Sequence, residues 1–223
     1  MSKASKLRLE LHGKKFKYST KKYPFKKILE ELFGVPLYSI HEWLGEYKTF
    51  NKYNDQSTLA HKVFYANFNK HFKFIFDDFI ANEVSDLITL PFHYQLIPTF
   101  RLGLPGNKFV GEFHKDSNYN HQDYEINFNL GLENYIGEAS LKTQLNPKSD
   151  NYIFLECPYG YLFSFNHIDC LHGSEVNSTN KTMVSFDFRL ALKEEYSDSK
   201  AKSITNNTKF NIGSYFSKKC IND

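Results

Sequence analysis

The chain has few cysteines, no long apolar run and little net charge, and each shortage excludes a class. Three cysteines among 223 residues, Cys157, Cys170 and Cys220, share no metal-binding spacing. Their odd number argues for free thiols in a reducing compartment rather than a disulfide framework. No stretch approaches the roughly 18 apolar residues of a membrane span, and Met1-Ser2-Lys3 leads into charged residues without the apolar core of a secretory signal. A cytoplasmic protein with no membrane attachment is therefore expected, and the sequons at Asn177, Asn180 and Asn206 read as accidents of an Asn-rich sequence. A net charge of +3 gives no overall nucleic-acid signature. The lysines crowded between Lys3 and Lys27 alternate with Leu7, Leu9, Leu11, Phe16 and Tyr18, so a solvated face is preferred to a nucleic-acid arm.

Aromatic residues are plentiful. With 22 Phe and 15 Tyr, the chain has ample material for a core, and its length suits one domain. Leu7 to Tyr18 alternates around the turn His12-Gly13 and predicts a β-hairpin. Phe25, Ile28, Leu29, Leu32 and Phe33 have helical period between Pro24 and Gly34. Asp55-Gln56-Ser57-Thr58 offers capping residues for a helix starting at Leu59, and a second helix continues to Leu87 after a break near Asn69. From Pro91 the pattern becomes short alternating runs: Tyr94 to Gly103, Gly111 to Asp116, Tyr124 to Leu130, Tyr152 to Leu155, Tyr161 to Asn166 and Thr182 to Leu192. The expected architecture is mainly β with flanking helices, an antiparallel barrel or jelly roll. It divides into residues 1–90 (hairpin and supporting helices), 91–192 (core) and 193–223 (a mobile loop over Tyr196 to Thr208, then an ordered piece around Phe210 to Phe216).

His114 and Asp116, two apart at the end of a strand-like run, point to one side of it. A second His from a neighbouring strand would complete a facial triad suited to iron(II). His172 is the candidate, with His167 as its rival. The last run places Met183, Ser185, Asp187 and Arg189 on one face, and Val184, Phe186 and Phe188 on the other. An inward Arg suits a carboxylate, which its planar fork can grip twice. A partner for Arg189 among Asp187, Glu175 and Glu194 at the surface is the competing reading.

These residues also carry a resemblance. Tyr94-Gln95, Pro98-Thr99-Phe100-Arg101, Pro105-Gly106-Asn107, Glu112-Phe113-His114-Lys115-Asp116, Tyr119, His121, Glu125-Ile126-Asn127-Phe128, His172-Gly173, Asn177, Thr182 and Val184-Ser185-Phe186-Asp187-Phe188-Arg189 are similar to the iron/2-oxoglutarate oxygenases typified by the streptomycin-cluster group. The resemblance runs from about Phe79 to Leu190, with an echo at Ile212-Gly213-Ser214-Tyr215. It implies a double-stranded β-helix, His114, Asp116 and His172 as iron(II) ligands, and O2 and 2-oxoglutarate as cosubstrates. It also implies a basic residue late in the core that anchors the distal carboxylate. Arg189, with Ser185 and Asn129, is the candidate, and Arg101 stays open as the alternative. The resemblance implies a Thr-Arg pair where this chain has Thr182-Met183. Tyr119, His121, Asn127, Asn129 and Tyr135 are candidates to face a small polar substrate, a sugar or aminocyclitol by resemblance. The implied activity is that of a 2-oxoglutarate-dependent dioxygenase. A jelly-roll binding module without turnover, or a protein or nucleic-acid hydroxylase, are the alternatives.

Overall fold

The computed structural model describes every residue except 52, 110, 111 and 204–206. Among the described residues, five α-helices occur at Lys3–Leu11 (α1), Phe25–Phe33 (α2), Ile40–Leu44 (α3), Leu59–His71 (α4) and Lys73–Phe79 (α5), the last running into a π-turn at Ile80–Val84. Ten strands follow the order Lys15–Lys17 (β1), Phe92–Gln95 (β2), Thr99–Gly103 (β3), Glu125–Gly131 (β4), Leu141–Gln144 (β5), Tyr152–Leu155 (β6), Tyr161–Phe163 (β7), His172–Ser174 (β8), Met183–Leu192 (β9) and Phe216–Ile221 (β10). No helix among the described residues is long and apolar enough to cross a membrane.

The larger sheet runs β1-β7-β4-β9-β2-β10, with β3 also paired to β9, and the smaller runs β6-β5-β8. All strand pairings are antiparallel. A cluster of Phe109, Tyr135, Leu155, Cys157, Phe163, Phe165 and Met183 joins strands of both sheets, so the sheets enclose a common interior. This is the expected jelly roll, with a helical layer almost as extensive as its strands.

That layer follows from a ladder of phenylalanines. Phe64, Phe68, Phe72 and Phe76 recur every four residues, which places them on one face of a helix. The face lies on β9: Phe64 and Phe72 meet Phe186 at centroid distances of 5.3 and 6.3 Å, and Phe76 meets Phe188 at 5.5 Å. From α2, Phe25 reaches Phe186 at 5.6 Å. Gly34, at φ 71°, ends α2 in the left-handed conformation that glycine adopts without strain.

Four expectations need correction. The predicted hairpin is largely helix: Ala4, Arg8 and Leu11 are the buried residues, at helical spacing, while Leu9 stays exposed. The decisive contacts are remote, since the Glu195 carboxylate accepts the Lys3 and Ala4 amides, and Arg8 donates to Asn166 and to the carbonyls of Asp123 and Glu125. Only Lys15–Lys17 is strand, and it pairs with β7. The helix break falls at Phe72, not Asn69, and Thr58 is the residue that caps α4. Tyr94 to Gly103 is two strands along the same edge of β9, divided before Pro98-Thr99. In the run Gly111 to Asp116, Gly111 lies outside the described residues. The rest is not a regular strand, because His114 makes only an isolated bridge and Asp116 opens a 3-10 turn. Three strands went unread, β5, β8 and β10. Within Tyr196 to Thr208, whose residues 204–206 lie outside the described set, Tyr196 packs against Tyr124 and Phe216.

Candidate metal centre

β8 pairs with β5 so that His172 stands opposite Thr143. On its free side, His114 and His172 exchange backbone hydrogen bonds of 2.8 and 2.9 Å. Directly opposed residues present their side chains to the same face, and the two imidazole centroids lie 4.6 Å apart. The approach needs Gly173, because a Cβ there would come within 2.9 Å of the Phe113 ring. Asp116 is brought in separately, its amide donating to the His167 carbonyl at 2.8 Å. The pair therefore converges through a bridge and a turn rather than through strand alternation.

Among the described residues, His114, Asp116 and His172 form the group with metal-ligand potential, their donor atoms all within 4.8 Å of one another. Asp116 Oδ1 is 3.3 Å from His114 Nε2 and 3.2 Å from His172 Nε2. Each ring turns its Nδ1 to a carbonyl, Glu112 at 2.9 Å and Cys170 at 3.0 Å. A carbonyl only accepts, so Nδ1 carries a proton in each ring, and in the neutral imidazole Nε2 is left with its lone pair. Burial pushes His172 down, favouring its neutral form. Burial alone would raise Asp116, but the Arg189 guanidinium, followed by the two histidines, holds it well below the usual carboxylate range.

Arg189 is buried and donates to Asp116 Oδ2 at 2.6 Å and to Asp187 Oδ2 at 3.1 Å. Arg101 donates to Asp55 at 2.5 Å and to Asp187 at 3.4 Å. Asp55, Arg101, Asp187, Arg189 and Asp116 thus form a buried ladder of alternating charge. Burial would raise Asp187, but Arg189 and Arg101 together hold it low. Of the surface partners weighed for Arg189, only Asp187 is engaged, and it is buried.

One cavity is lined by the three candidate ligands together with Arg101, Asn129, Tyr135, Ser185 and Arg189. The other sequence candidates lie around it. The Tyr119 ring stacks edgewise on His114 at 4.5 Å and its hydroxyl donates to Glu112. Asn127 supports Asp187 from behind with a 2.6 Å hydrogen bond. His121 faces a second cavity beyond Arg101 and Arg189 and is bonded to Glu125 at 2.7 Å. His167 is fully buried, outside the donor group, and neither ring nitrogen has a hydrogen-bond partner among the described residues. Asp55, read only as a cap, and Phe109 and Phe113 were missed. Their partners lie far along the chain, and no local pattern signals them.

No family model matches the chain. The streptomycin biosynthesis protein StrG of Streptomyces griseus is 25% identical over 205 residues, which cover 91% of this chain and 96% of that protein. Among solved structures, the non-heme alpha ketoglutarate dependent carbocyclase SnoK from nogalamycin biosynthesis aligns with a TM-score of 0.53 at 12% identity, over 86% of this chain and 84% of its own. The apo non-heme monooxygenase ThoJ gives 0.50 at 12% identity, over 89% and 82%. At such identity the two structures speak to the fold. In sequence, then, the chain is similar to StrG over nearly its whole length, and its fold is the double-stranded β-helix of non-haem 2-oxoglutarate oxygenases, with a His-x-Asp…His triad in place.

Proposed function

We propose that the chain is a non-haem iron(II)- and 2-oxoglutarate-dependent oxygenase acting on a small polar metabolite, a sugar or aminocyclitol, by hydroxylation or related C–H oxidation. The observation that carries this reading is the orientation of the two histidines, whose bare Nε2 atoms converge on an ionised carboxylate oxygen. With both imidazoles neutral, lone pairs face lone pairs at this point, and a cation among them relieves the repulsion. Two imidazoles and one carboxylate suit iron(II) with open positions. Bound iron(II), with 2-oxoglutarate and O2, would supply the C–H oxidation chemistry.

The chain's own residues arrange that centre. Arg189 occupies Asp116 Oδ2, which leaves Oδ1 directed at the histidines and favours one carboxylate contact to the metal. The carbonyls of Glu112 and Cys170 fix both imidazole tautomers and orientations. We assign Arg189 to orienting Asp116, and the cavity wall of Arg101, Asn129, Tyr135 and Ser185 to the cosubstrate. Tyr119, stacked on His114, is assigned to the substrate side, whereas His121 lies at the second cavity, held by Glu125. The substrate class is supported by the similarity to StrG, a streptomycin biosynthesis protein. Residues 1–223 are taken as one oxygenase domain, because one hydrophobic cluster draws on the N-terminal helices and the core strands alike.

The test is succinate release from 2-oxoglutarate by the iron(II)-loaded protein under air, with and without sugars and aminocyclitols. Basal release that a member of that class stimulates is expected. Iron(II) and 2-oxoglutarate binding without any succinate would make the protein a binding module instead.

A further inference from the structure

Three residues before the cap of α4 and outside both sheets, Asp55 is a buried carboxylate. Arg101 Nη1 donates to its Oδ2 at 2.5 Å, while Oδ1 is buried without a hydrogen-bond partner among the described residues. Burying a carboxylate is costly even when it is paired. The segment does not need it as an anchor. Asn107 accepts from the Phe50 amide and donates to the Lys48 carbonyl, the Tyr47 hydroxyl donates to the Pro105 carbonyl, and the Gln56 amide donates to the Phe100 carbonyl.

Arg101 is shared between two carboxylates. Its Nη2 reaches Asp187 Oδ2 at 3.4 Å, and the same oxygen accepts from Arg189 Nη1 at 3.1 Å. Arg189 is shared in turn, because its Nη2 donates to Asp116 Oδ2 at 2.6 Å. Each link is therefore a competition, in which a guanidinium drawn toward one carboxylate holds the other less tightly. None of the five side chains is more than 17% exposed, so solvent screens the links little. The last member is Asp116, whose Oδ1 faces Nε2 of both histidines. A tighter grip of Arg189 on Oδ2 draws negative charge from Oδ1 and weakens its attraction for a cation, and a looser grip does the reverse.

We propose that Asp55 and Arg101 are positioning residues for the metal centre, acting in opposite directions on the iron(II) affinity of Asp116 through Asp187 and Arg189. This rests on the iron(II) reading above. Without the charge of Asp55, Arg101 turns to Asp187, Asp187 relaxes its hold on Arg189, and Arg189 closes on Asp116. Without the charge of Arg101, Asp187 draws Arg189 away from Asp116.

The experiment is anaerobic calorimetric titration of the metal-free protein with iron(II) alone, in the wild type, Asp55→Asn, Arg101→Gln and the double variant, with folding checked by circular dichroism. Asp55→Asn should weaken iron(II) binding roughly 3- to 10-fold, less than the change of a group that touches a ligand directly. Arg101→Gln should strengthen it by a similar factor. The double variant should match Arg101→Gln, because Asp55 has no route to the metal once Arg101 is gone. General damage to the fold would lower affinity in every variant and could not produce opposite signs. Folded variants that all bind iron(II) like the wild type, or an Asp55→Asn loss of equal size with and without Arg101, would overturn the proposal while leaving the metal assignment intact. Should Asp55→Asn not fold, unchanged or lowered affinity in Arg101→Gln would overturn it as well. A wild type that takes up no iron(II) would overturn both the proposal and the metal assignment.

Discussion

On one side of β9, Val184, Phe186, Phe188 and Leu190 meet the phenylalanines of α2, α4 and α5; on the other, Ser185, Asp187 and Arg189 meet Asn127, Arg101 and Asp116. The apolar side is held by contacts that are non-directional and shared among many rings. A lost contact there is replaced in part by its neighbours. The polar side is a chain of directional charge pairs in which removing one member takes a partner from the groups on either side of it. Tolerance to substitution should therefore differ sharply between side chains that alternate along the same strand.

The largest expected effect is on the polar side. Arg189→Leu keeps a large apolar side chain but takes the guanidinium from Asp116 and the nearer of two from Asp187, and should cost about 3–5 kcal/mol in urea unfolding along with iron(II) affinity. Adding Asp187→Asn should recover part of the stability, because a buried charge left with only the longer contact to Arg101 is removed. A single change costing under about 1 kcal/mol would mean that the ladder is not coupled as described.

The helical side contains one titratable outsider. His61 in α4 is fully buried beside Phe50 and Phe100, and burial, aided by Arg101, lowers its pKa to about 3. The folded protein thus holds His61 neutral, whereas the unfolded chain protonates it near 6.5. The sign follows: its contribution is intact above pH 6.5 and is lost progressively as pH falls toward 3. Between pH 6.5 and pH 5 the loss should be roughly 2 kcal/mol, and His61→Gln should flatten that part of the stability profile. Equal slopes in both proteins would place a different group behind any acid sensitivity. A smaller effect is expected of Phe186→Leu, about 1–2 kcal/mol with iron(II) affinity unchanged, since the surrounding rings can close on the lost volume.

The sequence was most legible where one strand carried its own contrast. The alternation from Val184 to Arg189 separated core from cavity correctly, because a period of two leaves each residue only one face, whereas Met183 lies in an apolar cluster. His114, Asp116 and His172 were legible as types, and the resemblance chose His172 over His167; the structure brings His172 into the donor group. How they meet was not legible, since it depends on a bridge between residues 58 positions apart and on Gly173 admitting Phe113. The same distance in sequence hid the carboxylate that Asp55 offers Arg101 and the one that Glu195 offers the start of α1. Without that cap and the buried seat of Arg8, three alternating leucines read as a strand.

Anaerobic iron(II) titration of the purified protein and of a variant with His114 and Asp116 both changed to Ala tests the central claim most directly. One iron(II) per chain is predicted in the wild type, with a weak visible charge-transfer band once 2-oxoglutarate is added, and neither in the variant, whose folding is checked by circular dichroism. Wild-type protein that takes up no iron(II), or a folded variant that binds it as tightly as the wild type, would contradict the assignment of these residues as the metal centre.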